Sequence, residues 1–184
     1  MGDYTVFMAG MKGVGKTSLS VQLAQNRVVS DGEVHEANTF TRRVIVGSEE
    51  HTVSVTDPGP EEDAKKLSTS MRFCRGFMLV FSYKSRASFD CLTQFRSIAL
   101  DAKGVSSAPF VLVATHSDVK SGRQVTPEEG RALASSFGCP FLEVCSMNYD
   151  DVENCFVELV KEIMAKEAAS PPLSMKKKKD CCVQ

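Results

Sequence analysis

The 184-residue sequence predicts an α/β domain: a mainly parallel six-stranded sheet with one antiparallel edge hairpin strand and helices on both faces. Three observations lead there. Gly10-Met11-Lys12-Gly13-Val14-Gly15-Lys16-Thr17 matches the phosphate-loop pattern G-x-x-x-x-G-K-[ST] at every fixed position. The runs Gly76 to Ser82 and Phe110 to Ala114 are continuously apolar, as strands covered on both faces are. Strand-like runs also alternate with stretches of helical period, and that alternation implies a parallel sheet with its ligand at the carboxyl ends of the strands.

Taken in order, Tyr4 to Ala9 is an apolar run rich in strand formers, and Thr17 to Gln25 places Leu19 and Leu23 four apart, so the glycines join a strand to a helix. Residues 27 to 38 are polar and read as a loop. Thr39 to Val46 and His51 to Thr56 carry β-branched residues, with Gly47-Ser48-Glu49-Glu50 as their hairpin connection. The second strand runs into Asp57-Pro58-Gly59-Pro60, where two prolines forbid continuation. A short helix is expected over Glu61 to Met71. Phe89, Leu92, Phe95, Arg96 and Ala99 predict one amphipathic helix from Ser85 to Lys103. Thr126-Pro127-Glu128-Glu129 is a capping box with proline at the first helical position, opening a helix that Gly138 closes. Pro140 to Val144 is a last strand. Asp150 and Glu153 stand at cap spacing before a final helix with Val152, Phe156, Leu159, Val160 and Ile163 as its apolar face.

Composition sets bounds. With 42% hydrophobic and 24% charged residues the chain has the makings of one ordinary core. The net charge of -1 conceals an asymmetry: without Lys176 to Lys179 and Asp180 the remainder holds 18 basic against 22 acidic residues. Seven scattered cysteines without metal-type spacing read as reduced thiols, and Cys74, Cys91 and Cys155 fall in apolar patterns that predict burial. No apolar run approaches the length of a bilayer span.

The phosphate loop assigns chemistry to particular residues. Gly10, Gly13 and Gly15 let backbone N–H groups, including those of Lys12, Val14 and Ser18, curl around a phosphate at the positive end of the following helix. Lys16 sets an ammonium against the terminal phosphates, and the Thr17 hydroxyl ligates a magnesium ion that bridges them.

With the phosphate loop, Asp57-Pro58-Gly59 and Thr115-His116-Ser117-Asp118 in that order, the chain resembles a Ras-type small GTPase, a P-loop NTPase, over nearly all of residues 3 to 166. The resemblance implies that Asp57 holds magnesium through water and that Gly59 gives its N–H to the third phosphate. It implies that Asp118 accepts both N1–H and the exocyclic amine of guanine, a pattern adenine cannot match. Thr115-His116 stands where the family has Asn-Lys, and His116 either lies along the base or is an idle surface histidine. Cys145-Ser146-Met147 stands where the family has Ser-Ala-Lys, and its backbone N–H groups would make the third base contact. Val28 replaces the aromatic residue that packs on the base, so weaker binding and faster exchange are expected. Three positions bear on hydrolysis: His35 where the family's first switch has threonine, Lys12 where glycine is usual, and Glu61 where glutamine orients the attacking water. Lys12 would crowd an arginine finger, and Glu61 is a candidate base.

Residues 168 to 184 hold two prolines, four lysines and the terminal Cys181-Cys182-Val183-Gln184, a composition that builds no core. The last four residues fit a C-a-a-X prenylation box, with the polybasic run as a second membrane signal. Normal processing leaves Cys181 to carry the lipid; a Rab-like alternative would modify both cysteines. The expected organisation is a G domain over 1–167 and a prenylated tail over 168–184. The expected protein is a monomeric GDP/GTP switch on the cytoplasmic face of a membrane, the plasma membrane first among them. Its expected cofactor is Mg2+ and its partners are guanine nucleotide, an anionic membrane, and effectors and exchange factors through residues 30–40 and 57–75, with no nucleic acid. GTP hydrolysis would be slow. The alternative is a pseudo-GTPase serving as a lipid-anchored adaptor. A small-metabolite kinase would need an arginine-rich lid that these loops lack.

Overall fold

In the computed structural model, which describes residues 2–29, 39–58 and 64–169, strand register explains the placement of everything else. The strands are β1 (Asp3–Ala9), β2 (Thr39–Val46), β3 (Glu49–Thr56), β4 (Gly76–Ser82), β5 (Phe110–Thr115) and β6 (Phe141–Glu143). They lie in the order β2-β3-β1-β4-β5-β6, every pairing parallel except the β2–β3 hairpin at the edge. β1 pairs Phe7 with Thr56 on one side and Ala9 with Leu79 on the other, so the ends of β3 and β4 meet the start of the phosphate loop.

The helices are α1 (Lys16–Gln25), α2 (Ala64–Arg72), α3 (Arg86–Asp90), α4 (Leu92–Lys103), α5 (Pro127–Phe137) and α6 (Tyr149–Ala169). Side-chain alternation along the central strands divides the core between them. Val6, Met8, Met78, Val80, Val111 and Val113 pack under α1 and α6, with Leu19, Leu23, Phe156 and Leu159. Phe7, Phe77, Leu79, Phe81 and Leu112 face the other way, against Met71, Leu92, Ala99 and Ala134. Every residue of β4 and β5 is therefore buried, and this two-sided burial produces their unbroken apolar sequence. Among the described residues no helix is long and apolar enough to cross a membrane.

Four local boundaries and the burial of Cys91 need correction. The β2–β3 connection is the two-residue turn Gly47-Ser48, because Glu49 and Glu50 continue the ladder opposite Val46 and Ile45. Both glutamates are solvent-exposed, so the edge tolerates charges that read as loop. The single helix expected over 85 to 103 divides at Cys91, whose ψ of -6° departs from the helical value. Phe95 N still bonds to Cys91 O, so the apolar period runs through the break. Cys91 is consequently half-buried, whereas Cys74 and Cys155 are buried as expected. The last strand spans only Phe141–Glu143. The cap of α6 is Asn148, not Asp150: its Oδ1 accepts from Asp150 N at 3.1 Å and its carbonyl accepts from Val152 N. In α2 the described helix is Ala64–Arg72, and Glu61 lies outside the described residues.

The cap of α5 forms as expected. Thr126 Oγ1 accepts from Glu129 N at 3.2 Å, and Thr126 N donates to Glu129 Oε2 at 2.9 Å, with Pro127 in the first turn and Gly138 closing the helix. Thr126→Ala removes the first of these bonds and should lower unfolding free energy by about 1 kcal/mol. Phe156→Ala, which empties a fully buried site between α6 and the sheet, should cost about 3–5 kcal/mol. Denaturant unfolding of the two variants measures both; a cap loss as large as the core loss would contradict this partition.

Candidate functional site

The phosphate loop leaves β1 between the ends of β3 and β4, and two of its glycines are required by geometry. A Cβ on Gly10 would lie 2.2 Å from the Val80 carbonyl oxygen, a backbone atom that cannot move aside. Gly15, the N-cap of α1, has φ 97°, which a side chain disfavours. Val14 anchors the loop by burying its side chain in the core, while Lys12 and Gly13 are exposed at its crest and Ser18 is half-buried in the first turn of α1.

Lys16 turns back over the loop and donates from Nζ to the carbonyls of Gly10 and Met11, each at 2.9 Å. Burial pulls its pKa below that of an ordinary lysine, and the Asp57 carboxylate opposes that shift. An ammonium held in this way is desolvated and already placed at the mouth of the loop.

Asp57, the residue after β3, is 5% exposed, and its Oδ2 accepts from Thr17 Oγ1 at 2.6 Å. Register brings these two together from 40 residues apart. A hydroxyl and a carboxylate side by side are hard oxygen donors suited to Mg2+, which commonly takes one or two protein ligands and completes its shell with water and phosphate oxygens. No group of three or more His, Cys, Asp or Glu residues that could enclose a metal occurs among the described residues.

On the other side of the loop, Thr115 is 1% exposed. Its Oγ1 donates to the Val14 carbonyl at 2.7 Å and lies 3.1 Å from the Phe81 carbonyl. This bond ties the turn that follows β5 to the phosphate loop. Ser117 N donates to the Val144 carbonyl at 3.2 Å, bringing the same turn beside Cys145, Ser146 and Met147. Cys145 and Ser146 are half-buried, Met147 is 67% exposed, and Asp118 faces solvent.

His116 is not an idle surface histidine. Its backbone is left-handed, with φ 59°, and its Nδ1 lies 3.0 Å from Ser82 Oγ and 3.1 Å from Thr115 Oγ1. The ring is half-buried and hydrogen-bonded, so it is not an idle surface group. Burial chiefly, with help from Lys84, lowers its pKa below the ordinary histidine value, against the pull of Asp118. Sequence reasoning missed Ser82. The one signal for it was a hydroxyl ending an otherwise apolar strand.

The site therefore brings Gly10 to Ser18, Asp57, Thr115 to Asp118 and Cys145 to Met147 to one edge of the sheet. His35, Gly59, Glu61 and Cys181 lie outside the described residues. A sequence model of the Ras family matches residues 5–165. The chain belongs to the Ras family. It is 37% identical to the Ras-like protein rasC of Dictyostelium discoideum over 158 residues, covering 85% of this chain and 84% of that one. It is 32% identical to a Ras-like protein of Laccaria bicolor over 172 residues, covering 92% of this chain and 82% of that one. Membership of the Ras family accounts for the GTP-binding character of the phosphate loop.

The lowered pKa of His116 sets a pH dependence. The unfolded chain binds the proton more readily than the fold does, so this contribution to stability is fully present above the unfolded pKa of about 6.5 and is lost as pH falls through the lower folded value. His116→Asn keeps a residue tolerant of the left-handed backbone and removes the titration. The fall in thermal midpoint between about pH 7.5 and about pH 5.5 should be smaller in this variant than in the wild type. Equal falls would remove His116 from the account.

Proposed function

We propose that the protein is a membrane-anchored GDP/GTP switch of Ras type that hydrolyses GTP slowly and resists GTPase-activating proteins. The observation that carries this reading is the Thr17–Asp57 pair beside the preset Lys16 ammonium. Thr17 and Asp57 are the residues that would hold Mg2+, the second of them through water. When bound, that ion neutralises charge on the terminal phosphates. Lys16 exchanges its two loop carbonyls for phosphate oxygens, a stronger charge-assisted pairing. The N–H groups of the loop and of the first turn of α1 supply the rest of the cradle. On the base side, Asp118 supplies guanine selectivity by accepting from N1–H and the exocyclic amine, and backbone N–H groups of residues 145 to 147 add the third contact.

Slow turnover follows from residue types. Lys12 stands exposed on the crest of the loop, where an arginine finger would approach, and Glu61 sets negative charge where the family has a neutral glutamine. His35 leaves the first switch without its threonine hydroxyl. Cys181 carries a prenyl group, and Lys176 to Lys179 add attraction to anionic lipid, which assigns the protein to the cytoplasmic face of the plasma membrane. Effectors and exchange factors engage residues 30–40 and 57–75.

The reading is tested by titrating the purified full chain with fluorescent GDP and a GTP analogue, with and without magnesium, and then measuring single-turnover hydrolysis. Tight magnesium-dependent binding is expected, Lys16→Ala should weaken it at least about a hundredfold, and turnover should be slow but measurable. Magnesium-independent binding with no turnover would favour the adaptor reading, to which His35 already lends weight. Lys12→Gly combined with Glu61→Gln should restore stimulation by a Ras-type GTPase-activating protein by at least about tenfold; no gain would assign the slow step elsewhere. Labelled farnesyl transfer to the full chain should vanish in Cys181→Ser, and persistent labelling would point to another acceptor.

A further inference from the structure

Tyr83, one residue beyond β4, is 0% exposed inside the cluster beneath α4 and α5. A phenylalanine would supply the same apolar volume there, so the phenol needs a reason beyond packing. Its hydroxyl donates to Glu143 Oε1 at 2.6 Å, across 60 residues of sequence. Burial and the Glu143 carboxylate both push the phenol pKa upward, so it stays a proton donor.

The Tyr83 ring also carries a cation. The guanidinium carbon of Arg123 lies 4.4 Å from the ring centroid, while Arg123 Nε donates to the Val119 carbonyl at 2.8 Å and Nη2 to the Ser117 carbonyl at 2.7 Å. Those carbonyls belong to the residues on either side of Asp118. Gripping both from one rigid fork restricts the peptide planes that aim the Asp118 side chain. The Tyr83 backbone completes the arrangement, donating to the Thr115 carbonyl at 3.3 Å and accepting from Gln124 N at 2.7 Å. Glu143, at the other end of the phenol bond, closes β6 two residues before Cys145.

We propose that Tyr83 is a positioning residue for base recognition, a latch that holds the Thr115 to Asp118 turn, the loop through Arg123 and the approach to Cys145–Met147 in one arrangement. The inference rests on the guanine-nucleotide reading given above. It supplies what this chain otherwise lacks on the base side. Val28 is 51% exposed and offers no aromatic ring, and His116 Nδ1 is engaged with Ser82 and Thr115. The base site is braced from beneath, through the phenol and the guanidinium stacked on it.

The test uses the purified full chain with magnesium and measures release of fluorescent GDP, the affinities of GDP and IDP by competition, and the thermal midpoint. IDP lacks the exocyclic amine that Asp118 would accept, so the GDP-to-IDP preference reports on how that carboxylate is aimed. Tyr83→Phe should release GDP about three- to tenfold faster, the scale of one lost hydrogen bond, and should lose a similar factor of preference, with a fall in the midpoint no larger than that one bond accounts for. Arg123→Met, which leaves the phenol untouched, should lose preference likewise and decides the matter if Tyr83→Phe does not fold. Glu143→Gln retains an acceptor oxygen and should fall between wild type and Tyr83→Phe. Release and preference within twofold of wild type overturn the latch, as do equal losses for GDP and IDP accompanied by a lower midpoint, which mark a packing role. A wild-type chain that binds no guanine nucleotide overturns the underlying reading instead.

Discussion

The structure depends on one constraint: the middle strands β1, β4 and β5 are covered by side chains on both faces. Polar groups have no place along such strands, since an unpaired one there costs several times what a typical hydrogen bond returns. Polar chemistry is left to the strand ends. Parallel pairing puts the carboxyl ends of β1, β3, β4 and β5 at the same edge of the sheet. The phosphate loop, Asp57, Ser82 and Thr115 gather there; the three side chains are still buried, but at a strand end partners from other segments can satisfy them.

Once gathered, these groups are held by bonds between segments rather than within them. Thr115 bonds to Val14 across 101 residues and Thr17 to Asp57 across 40. The loop itself is set by the close approach of Gly10 to Val80 and by Lys16 folding back on the Gly10 and Met11 carbonyls. Each contact removes freedom before any ligand arrives, so less ordering entropy is lost on binding. The phosphate half is prepared by backbone geometry and one desolvated cation. The base half relies on side-chain hydrogen bonds that anchor a turn.

The departures from the family pattern fall unevenly on these halves. The phosphate loop keeps its lysine, threonine and glycines, and only the exposed Lys12 is unusual. The base half differs in kind: a threonine makes the Val14 contact, a histidine turns its Nδ1 inward, and the aromatic residue beside the base becomes Val28. On the proposed reading, such changes would alter how long a nucleotide stays more than whether the phosphates fit, because the cradle's N–H groups are backbone atoms independent of them.

Much of this was legible in the sequence. The phosphate loop, the capped helix at Thr126, the apolar face of α6 and the unbroken strands β4 and β5 follow from local rules of sterics, capping and period, which neighbouring residues satisfy among themselves. The mainly parallel sheet and its antiparallel edge followed from the alternation of elements and the resemblance it supported, whereas the order of the strands came only with the structure. What only the tertiary structure decided involves partners distant in the chain. The inward turn of His116 needs Ser82, 34 residues away, and the grip of Arg123 on the Asp118 turn needs the Tyr83 ring and, through it, Glu143. The break at Cys91 was hidden because the apolar period crosses it without interruption. A local pattern states which face of an element is apolar; which polar groups meet at its end is settled only when register and packing bring the ends together.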